Sequence, residues 1–381
     1  MYYLTLCCIA KDEDLFLREW LAYHAQRGVE HFYVYDNMSE IPIRKVLGDF
    51  MDDSRLTLRR IPGSNMQIPA YNDCLESFGA ASRWMGFLDL DEFAFPVEDD
   101  DLRVFLSEFE AYGGFAATWW LFNSSGHLKR PGGPVIKNYT QAFARQHSYT
   151  AKCFVNPAKT AAAVSPHHFH YADGEYCVNE NHFPLSPGHQ YTFATGRRIR
   201  INHYFVKSQQ DFEEKLRRGR GDTADPAAAH DMTMFLHAAD KAYVENLEIQ
   251  RFLPELENAL AENRLPASQA LPGDLSYDER METAMAFFDA GKPDKCLACL
   301  CCGNEEYREK ADFWTLRALA AQCLGGPSNL DRAERFLSEA VRRESTEVAY
   351  DLLRDIWRSQ GKAELAEAVE EKRRIAYYDF V

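Results

Sequence analysis

The sequence predicts an α/β domain followed by an all-α helical-repeat domain, and three features of the 381 residues carry that assignment. Short apolar runs alternate with amphipathic stretches up to about residue 95. One of those runs, the first half of the stretch Arg83 to Pro96, ends in Asp89, Asp91 and Glu92. Beyond residue 278 nearly every stretch has helical spacing, and Gly291, Gly325 and Gly361 recur as helix stops. Apolar residues make up 46% of the chain and aromatic residues 13%, which is ample for a core. The expected divisions are 1–225 for the α/β domain, 226–275 for a helical and linking segment, and 276–381 for the helical repeats.

Residues 3 to 10 are apolar and meet charge at once, as a buried first strand would. Asp12 or Asp14 then caps a helix in which Leu15, Trp20, Leu21 and Tyr23 recur near helical spacing, up to a stop at Gly28. Val29 to Tyr35 is a second strand, and Asp36-Asn37-Met38-Ser39 its turn. This strand–helix–strand order implies a right-handed parallel unit, with Lys11, the Asp36 turn and Asp89 at one sheet edge. A helix over 42–50, a strand over 56–60 and a helix over 67–79 lead to the Asp-Leu-Asp strand, whose carboxylates are expected to run out into solvent. Paired aspartates at such an edge suit a hard divalent cation carrying phosphate oxygens.

A short helix over 104–109 and a strand over 113–122 follow, then a stretch over 124–200 rich in Gly, Pro, His and aromatics that reads as short strands and long loops. Arg198 to Val206 is a strand, Gln209 to Arg218 a charged helix ending at Gly219, 222–230 a linking stretch, and 235–252 one more helix packing back on the first domain. A second linker covers 266–274. The glycine stops after it lie 34 and 36 residues apart, and this region resembles about three tetratricopeptide repeats without their full signature. Its surface is expected to serve a protein partner or self-association, or to brace the domain before it.

The formal charge of −15 argues against nucleic acid as a partner. No run reaches the roughly 18 apolar residues of a membrane span, and the apolar N-terminus meets Lys11-Asp12-Glu13-Asp14 without a basic lead. A cytoplasmic protein is expected, with peripheral placement at the inner membrane face where its acceptor requires it. The ten cysteines sit where small buried apolar residues fit, and reduced thiols are expected.

Several spaced motifs share one order. Cys8 to Glu13 with Glu19-Trp20, His31 to Asn37 with Ser39, Gln67 with Asn72 to Leu75, Asp89-Leu90-Asp91-Glu92-Phe93, Trp120 to Gly126, and His203-Tyr204 with Lys207-Ser208 and Lys215 together resemble the family 92 and related family 2 glycosyltransferases, over about residues 3 to 221. The resemblance implies a GT-A-type mixed sheet flanked by helices, a nucleotide-sugar donor (a UDP-sugar) and Mn²⁺ or Mg²⁺. It implies that Asp89 and Asp91 hold the cation, that His203 completes its shell, and that Asp36, Asn37 and Lys11 meet the nucleotide. Lys152 and Lys207, with Lys215 and Arg218, are candidates for the pyrophosphate. A solvated helix face accounts for the last two equally well. Catalysis is expected of Asp91 and of a base for the acceptor hydroxyl. His127, His167, His168, His170, Asp173, Glu175, Glu180 and His182 are available, and His168 is favoured by resemblance, although it could serve donor or metal instead. Trp119 and Trp120 could stack on an acceptor sugar.

The expected activity is transfer of a sugar to a hydroxyl of a glycan acceptor, lipid-linked or a surface polysaccharide, with inversion implied by the resemblance alone. A nucleotidyltransferase would use similar carboxylates but wants a Gly-rich loop after the first strand, which Cys8 to Asp14 lacks. A non-catalytic repeat adaptor would be expected to have lost Asp89 and Asp91.

Overall fold

A computed structural model describes residues 1–144, 150–185, 192, 196–219, 231–239, 243–266, 275–301, 307, 309–343 and 346–377. The linking stretches expected over 222–230 and 266–274 lie outside the described residues, Pro266 apart. The chain forms two compact units, Met1–Gln269 and Ala270–Val381.

The first unit is a mixed sheet flanked by helices. Its strands are β1 (Tyr2–Ala10), β2 (His31–Asp36), β3 (Leu56–Arg60), β4 (Ser82–Phe87), β5 (Glu92–Pro96), β6 (Gly114–Leu121), β7 (Gln141–Phe143), β8 (Ala151–Val155), β9 (Thr160–Ser165), β10 (His168–Tyr171), β11 (Cys177–Val178), β12 (Ile199–His203) and β13 (Tyr243–Glu245). The helices that matter here are α1 (Asp14–Gln26), α2 (Ile43–Leu47), α3 (Gln67–Phe78), α4 (Leu102–Leu106), α5 (Val135–Asn138), α6 (Gln209–Arg218), α7 (Met232–Ala239) and α8 (Leu253–Ala261).

The main sheet runs β3-β2-β1-β4-β8-β6-β12-β5, with β11 beside β6. β3, β2, β1 and β4 are parallel, so their carboxyl ends share one edge. Strand order reverses between β1 and β4, the position in such sheets where a crevice opens beyond the strand ends. Right-handed crossovers put α1 and α3 on opposite faces. On the α3 side, Cys7, Tyr33, Tyr35, Met85 and Phe87 pack on Tyr71 and Cys74. On the other, Trp20 is fully buried against Phe32 and donates its indole N–H to the Glu92 carbonyl. Each such large apolar side chain removed from water contributes about 2–3 kcal/mol.

Three expectations change. α1 begins at an N-cap Glu13 that makes no side-chain cap; Asp12 lies in the left-handed region at φ 51°, and its carboxylate accepts from the Glu40 N–H across the β2 turn. The single helix expected over 235–252 is instead α7, then β13 paired with β7, then a 3₁₀ turn Glu248–Phe252, with Pro254 opening α8. Tyr243-Val244 favours the extended form that β7 can pair, and Pro254 has no N–H to continue a helix from the preceding turn. The segment does pack back on the α/β unit, so residues 231–266 belong to it and do not stand apart: Arg27 lies over the Phe252 ring and pairs with Glu255, and Arg251 donates to the Pro96, Val97 and Asp99 carbonyls. Lastly, the 124–200 loops contain β8, inserted in mid-sheet antiparallel to both β4 and β6.

The second unit is wholly helical among its described residues: Tyr277–Asp289, Pro293–Cys301, Ala311–Leu324, Pro327–Arg342, Glu347–Ser359 and Ala363–Tyr377. Gly291, Gly325 and Gly361, at φ 67°, 71° and 73°, end the first, third and fifth of these, each in the left-handed conformation that stops a helix without a Cβ clash. Among the described residues, no helix is long and apolar enough to cross a membrane.

Candidate active site

The crevice at the switch point is a cleft of about 830 Å³. Lys11 and Glu13 reach it from the end of β1, Asn37 from β2, the 63–65 turn and Gln67 from the entry to α3, Asp89 and Asp91 from the turn after β4, Trp119 from β6, His167 from the β9–β10 turn, His203 from β12, and Lys215 and Arg218 from α6.

The Asp89-Leu90-Asp91 turn is not the solvated end the sequence suggested. Asp91 is 5% exposed and Glu92 fully buried. Asp89 lies at the opening: its Oδ1 accepts from Gln67 Nε2 at 2.8 Å and its Oδ2 from Lys152 Nζ at 2.8 Å. Lys152 itself is fully buried on β8. Burial works against its charge, but Asp89 and Glu92 on either side more than offset this and hold its ammonium firmly protonated. Glu92 accepts the Asp89 N–H at 3.0 Å, and burial, with Asp89 and Asp91 nearby, pushes its carboxyl well up.

Asp91 has a different shell. Its Oδ2 accepts from Lys215 Nζ at 2.7 Å and lies 3.9 Å from Lys207 Nζ; its Oδ1 lies 3.4 Å from His203 Nε2. Burial alone would raise this carboxyl, yet Lys215, His203 and Lys207 hold it well below the carboxylate range. His203 goes the other way: burial lowers it, against the pull of Asp91, and leaves a neutral imidazole. Lys215 is delivered by α6, which is set by a capping box between Ser208 and Asp211, with Asp211 in turn bound by Arg130 and the Tyr139 hydroxyl. One turn later Arg218 pairs with Glu13 at 3.0 Å.

The expected residues therefore divide. Asp89, Asp91, His203, Lys11 and Asn37 meet at the cleft. Asn37 also clips the neighbouring turn by donating to the Ile61 and Gly63 carbonyls. Asp36 is not part of the lining; its carboxylate accepts from the Ser39 and Ile43 N–H groups and shapes the β2 turn. Lys152 stands behind Asp89, and Lys207 is buried over the Phe16 ring, facing a small neighbouring hollow. Among the described residues, the cations lining the cleft are Lys11, Lys215 and Arg218. His168 lies on β10 outside the lining, whereas His167 is within it, its Nδ1 2.9 Å from the Ala151 carbonyl and its ring 5.0 Å from Trp119. The 63–65 turn escaped sequence reasoning. Its signal was the Gly63-Ser64-Asn65 composition, and Asn65 takes the left-handed conformation at φ 58°.

The donor set can be tested against a divalent cation. Among the described residues no three carboxylate, imidazole or thiol side chains converge on one point. Two ligands each about 2.1 Å from one ion stand roughly 3.0–3.4 Å apart at right or tetrahedral angles. Asp91 Oδ1 and the neutral His203 Nε2 are 3.4 Å apart and both face the cleft, so the pair fits. Asp89 lines the same cleft, where it could add a ligand through water. The remaining positions would fall to phosphate oxygens, the usual arrangement for magnesium.

A family model described as glycosyltransferase family 92 matches residues 2–219, more than half of the chain. A glycosyltransferase family 92 protein of Oryza sativa subsp. japonica is 30% identical over 221 residues, covering 56% of this chain and 35% of that protein. A Ricinus communis protein of the same description is 28% identical over 222 residues, covering 56% and 37%. A galactan β-1,4-galactosyltransferase of Arabidopsis thaliana is 28% identical over 110 residues, covering 26% and 21%. The chain spans about a third of the length of the first two relatives. Among solved structures, S. aureus TarS residues 1–349 with UDP aligns over 99% of this chain and 93% of that one, at 11% identity and a TM-score of 0.31.

Proposed function

The chain belongs to glycosyltransferase family 92, and from that premise we propose that it moves a hexose from a UDP-sugar to a glycan hydroxyl, with a divalent cation and by inverting displacement. The observation that carries the reading is the cleft at the β1–β4 switch point, where Asp91, held ionised, faces a neutral His203 beside the more open Asp89. The similarity to galactan galactosyltransferases favours a hexose, galactose first.

In this reading Asp91 and His203, with Asp89, hold Mn²⁺ or Mg²⁺. When bound, such an ion neutralises charge on the departing diphosphate. Lys215 and Arg218 add positive charge from α6, and Lys11 and Asn37 meet the nucleoside at the ends of β1 and β2. Burial, with Lys152 nearby, lowers His167 to about 4, so its imidazole is unprotonated at neutral pH. With Nδ1–H donated to the Ala151 carbonyl, its other nitrogen is free to accept a proton. By its place in the lining His167 takes the role of base for the acceptor hydroxyl in preference to His168, although at about 4 it is a weaker base than an ordinary imidazole. Trp119, between His167 and His203, offers a face to a sugar ring. The helical unit offers a surface for a protein partner or a second copy.

Titration calorimetry with UDP-galactose tests the donor and the metal together. Binding should require Mn²⁺ or Mg²⁺ and vanish with chelator; heat that is the same with and without metal would remove the cation from the proposal. Asp91→Asn should lower turnover by about a thousandfold with the fold intact, and a fully active variant would remove Asp91 from the chemistry.

A further inference from the structure

Asp91 faces two kinds of positive charge. Its Oδ1 stands 3.4 Å from His203 Nε2, the pair that fits a divalent cation, while its Oδ2 accepts from the Lys215 ammonium at 2.7 Å. Lys207 adds a second ammonium 3.9 Å from the same Oδ2. One carboxylate thus meets two lysines before any divalent ion is counted, and like charges a few ångströms apart repel strongly in a partly buried cleft.

The two lysines are not equally fixed. Lys207 is buried, lies over the Phe16 ring and is outside the cleft lining. Lys215 lines the cleft with its side chain 16% exposed. Its other contacts carry no formal charge: the Phe205 carbonyl at 3.1 Å, and the Phe205 ring, whose centre is 4.1 Å away. One turn along α6, Arg218 also faces the cleft, paired with Glu13. A nucleotide diphosphate brings several negative charges to this wall, and its oxygens accept charge-assisted hydrogen bonds as a carboxylate does. Lys215 has a long, flexible stem, so it can exchange Asp91 Oδ2 for a phosphate oxygen while α6 stays in place. Lys207 and His203 remain beside Asp91 and continue to hold its charge.

We infer that Lys215 is a movable counter-ion for Asp91, a positioning residue that opposes the divalent cation until a nucleotide diphosphate draws its ammonium away. The inference rests on the metal-dependent transferase reading above and deepens it. Lys215 hinders a cation that arrives alone and helps to hold the diphosphate, so one side chain has opposite effects on the two ligands. That sign separates the role from plain structural support, since a lysine that merely shaped the site would, when removed, weaken both. Direct contact between cation and diphosphate also couples their binding, so the decisive measurement is made on the cation alone.

Mn²⁺ binding to the full chain is measured by titration calorimetry without nucleotide and again at saturating UDP, the relevant site being the one lost in Asp91→Asn. Without nucleotide, Lys215→Met should bind Mn²⁺ at least about tenfold tighter than the wild type. Lys215→Gln, which still donates to Asp91 but carries no charge, should do the same, whereas Lys215→Arg should bind like the wild type. The gain in Mn²⁺ affinity that UDP brings should shrink by a similar factor in both neutral variants. A thermal melt shows whether each variant is folded. Folded neutral variants that bind Mn²⁺ no tighter than the wild type overturn the counter-ion, as does a Lys215→Arg protein that binds it as tightly as they do. A wild-type chain that binds no Mn²⁺ even with UDP present overturns the cation of the reading above, and the counter-ion with it. The expected pattern in a chain that acts on no UDP-sugar sustains the counter-ion and overturns the transferase reading alone.

Discussion

Two lysines stand within 3 Å of the carboxylates of one short turn, and their surroundings give them different work. Lys215 comes from the surface helix α6, lines the cleft with its side chain 16% exposed, and contacts Asp91 Oδ2 and the Phe205 carbonyl. A diphosphate entering the cleft can share that ammonium. A charge-assisted hydrogen bond is worth about 1.5–3 kcal/mol, so Lys215→Met should weaken UDP binding about 10- to 100-fold, beyond the loss of stability that follows from leaving the buried Asp91 with only Lys207 and His203 beside it. Lys152 is sealed between Asp89 and Glu92. Removing it takes the ion pair from Asp89 and leaves the buried Glu92 without its cation, at a cost of about 1.5–3 kcal/mol, and Lys152→Met should lower stability first and donor binding only as a consequence. A Lys152→Met protein that melts like the wild type but no longer binds UDP would show that the side chain reaches the nucleotide after all. This distinction was invisible in the sequence. The sequence offered Lys152 as a candidate for the pyrophosphate, and only the insertion of β8 between β4 and β6 reveals it as a buried counter-ion for residues far away in the chain. Asp89 and Asp91 were legible because a short apolar run ending in acid has few packing explanations.

At the scale of one element, α1 shows why periodicity reveals a helix more reliably than its faces. Leu15, part of the apolar spacing, is 56% exposed, while Glu19 and His24 are buried. The causes are distant in sequence: β5 meets His24, whose Nε2 accepts the Ala94 N–H and whose ring stacks on Phe93, and α5 meets Glu19, while α8 packs on α1 near Arg27. Glu19 accepts from the Val135 and Ile136 N–H groups that open α5, and burial raises its carboxyl from 4.5 to about 7. A carboxyl raised on folding contributes stability below about pH 4.5 that is lost as pH rises through about 7, on the order of 3 kcal/mol. His24, lowered by burial to about 3, acts oppositely and loses stability as pH falls below 6.5. The two overlap, so the wild-type curve alone cannot separate them. Comparison with Glu19→Gln can, since His24 is common to both. Between pH 5 and 7.5 the wild-type melting temperature should fall relative to the variant; parallel curves would mean that Glu19 is ionised throughout and held by its two N–H donors.

For the whole molecule, the described residues that line the cleft all fall within Met1–Gln269. The end of that unit is tied in: Arg55 donates to the Leu265 and Pro266 carbonyls, while Arg251 and Arg27 anchor the 3₁₀ turn and α8. The sequence placed the domain boundary near 225 because the loop-rich 222–230 stretch looks like a linker, and composition carries no sign of the ion pairs and ring contacts that bind 231–266 to the strands before it. The two-unit division makes the boundary testable. A chain ending at residue 269 should stay soluble and hydrolyse UDP-galactose within about twofold of the full chain, because its hydrophobic core and its charged site are complete. A chain ending at 225 should be unstable, since Arg27, Tyr23 and Phe95 would each lose the Phe252 contact. Should the 269-residue chain instead aggregate or lose donor hydrolysis, the helical unit braces the catalytic one. Should it keep donor hydrolysis but lose transfer to the acceptor, the helices present the acceptor, and the partner surface proposed for them is an acceptor surface.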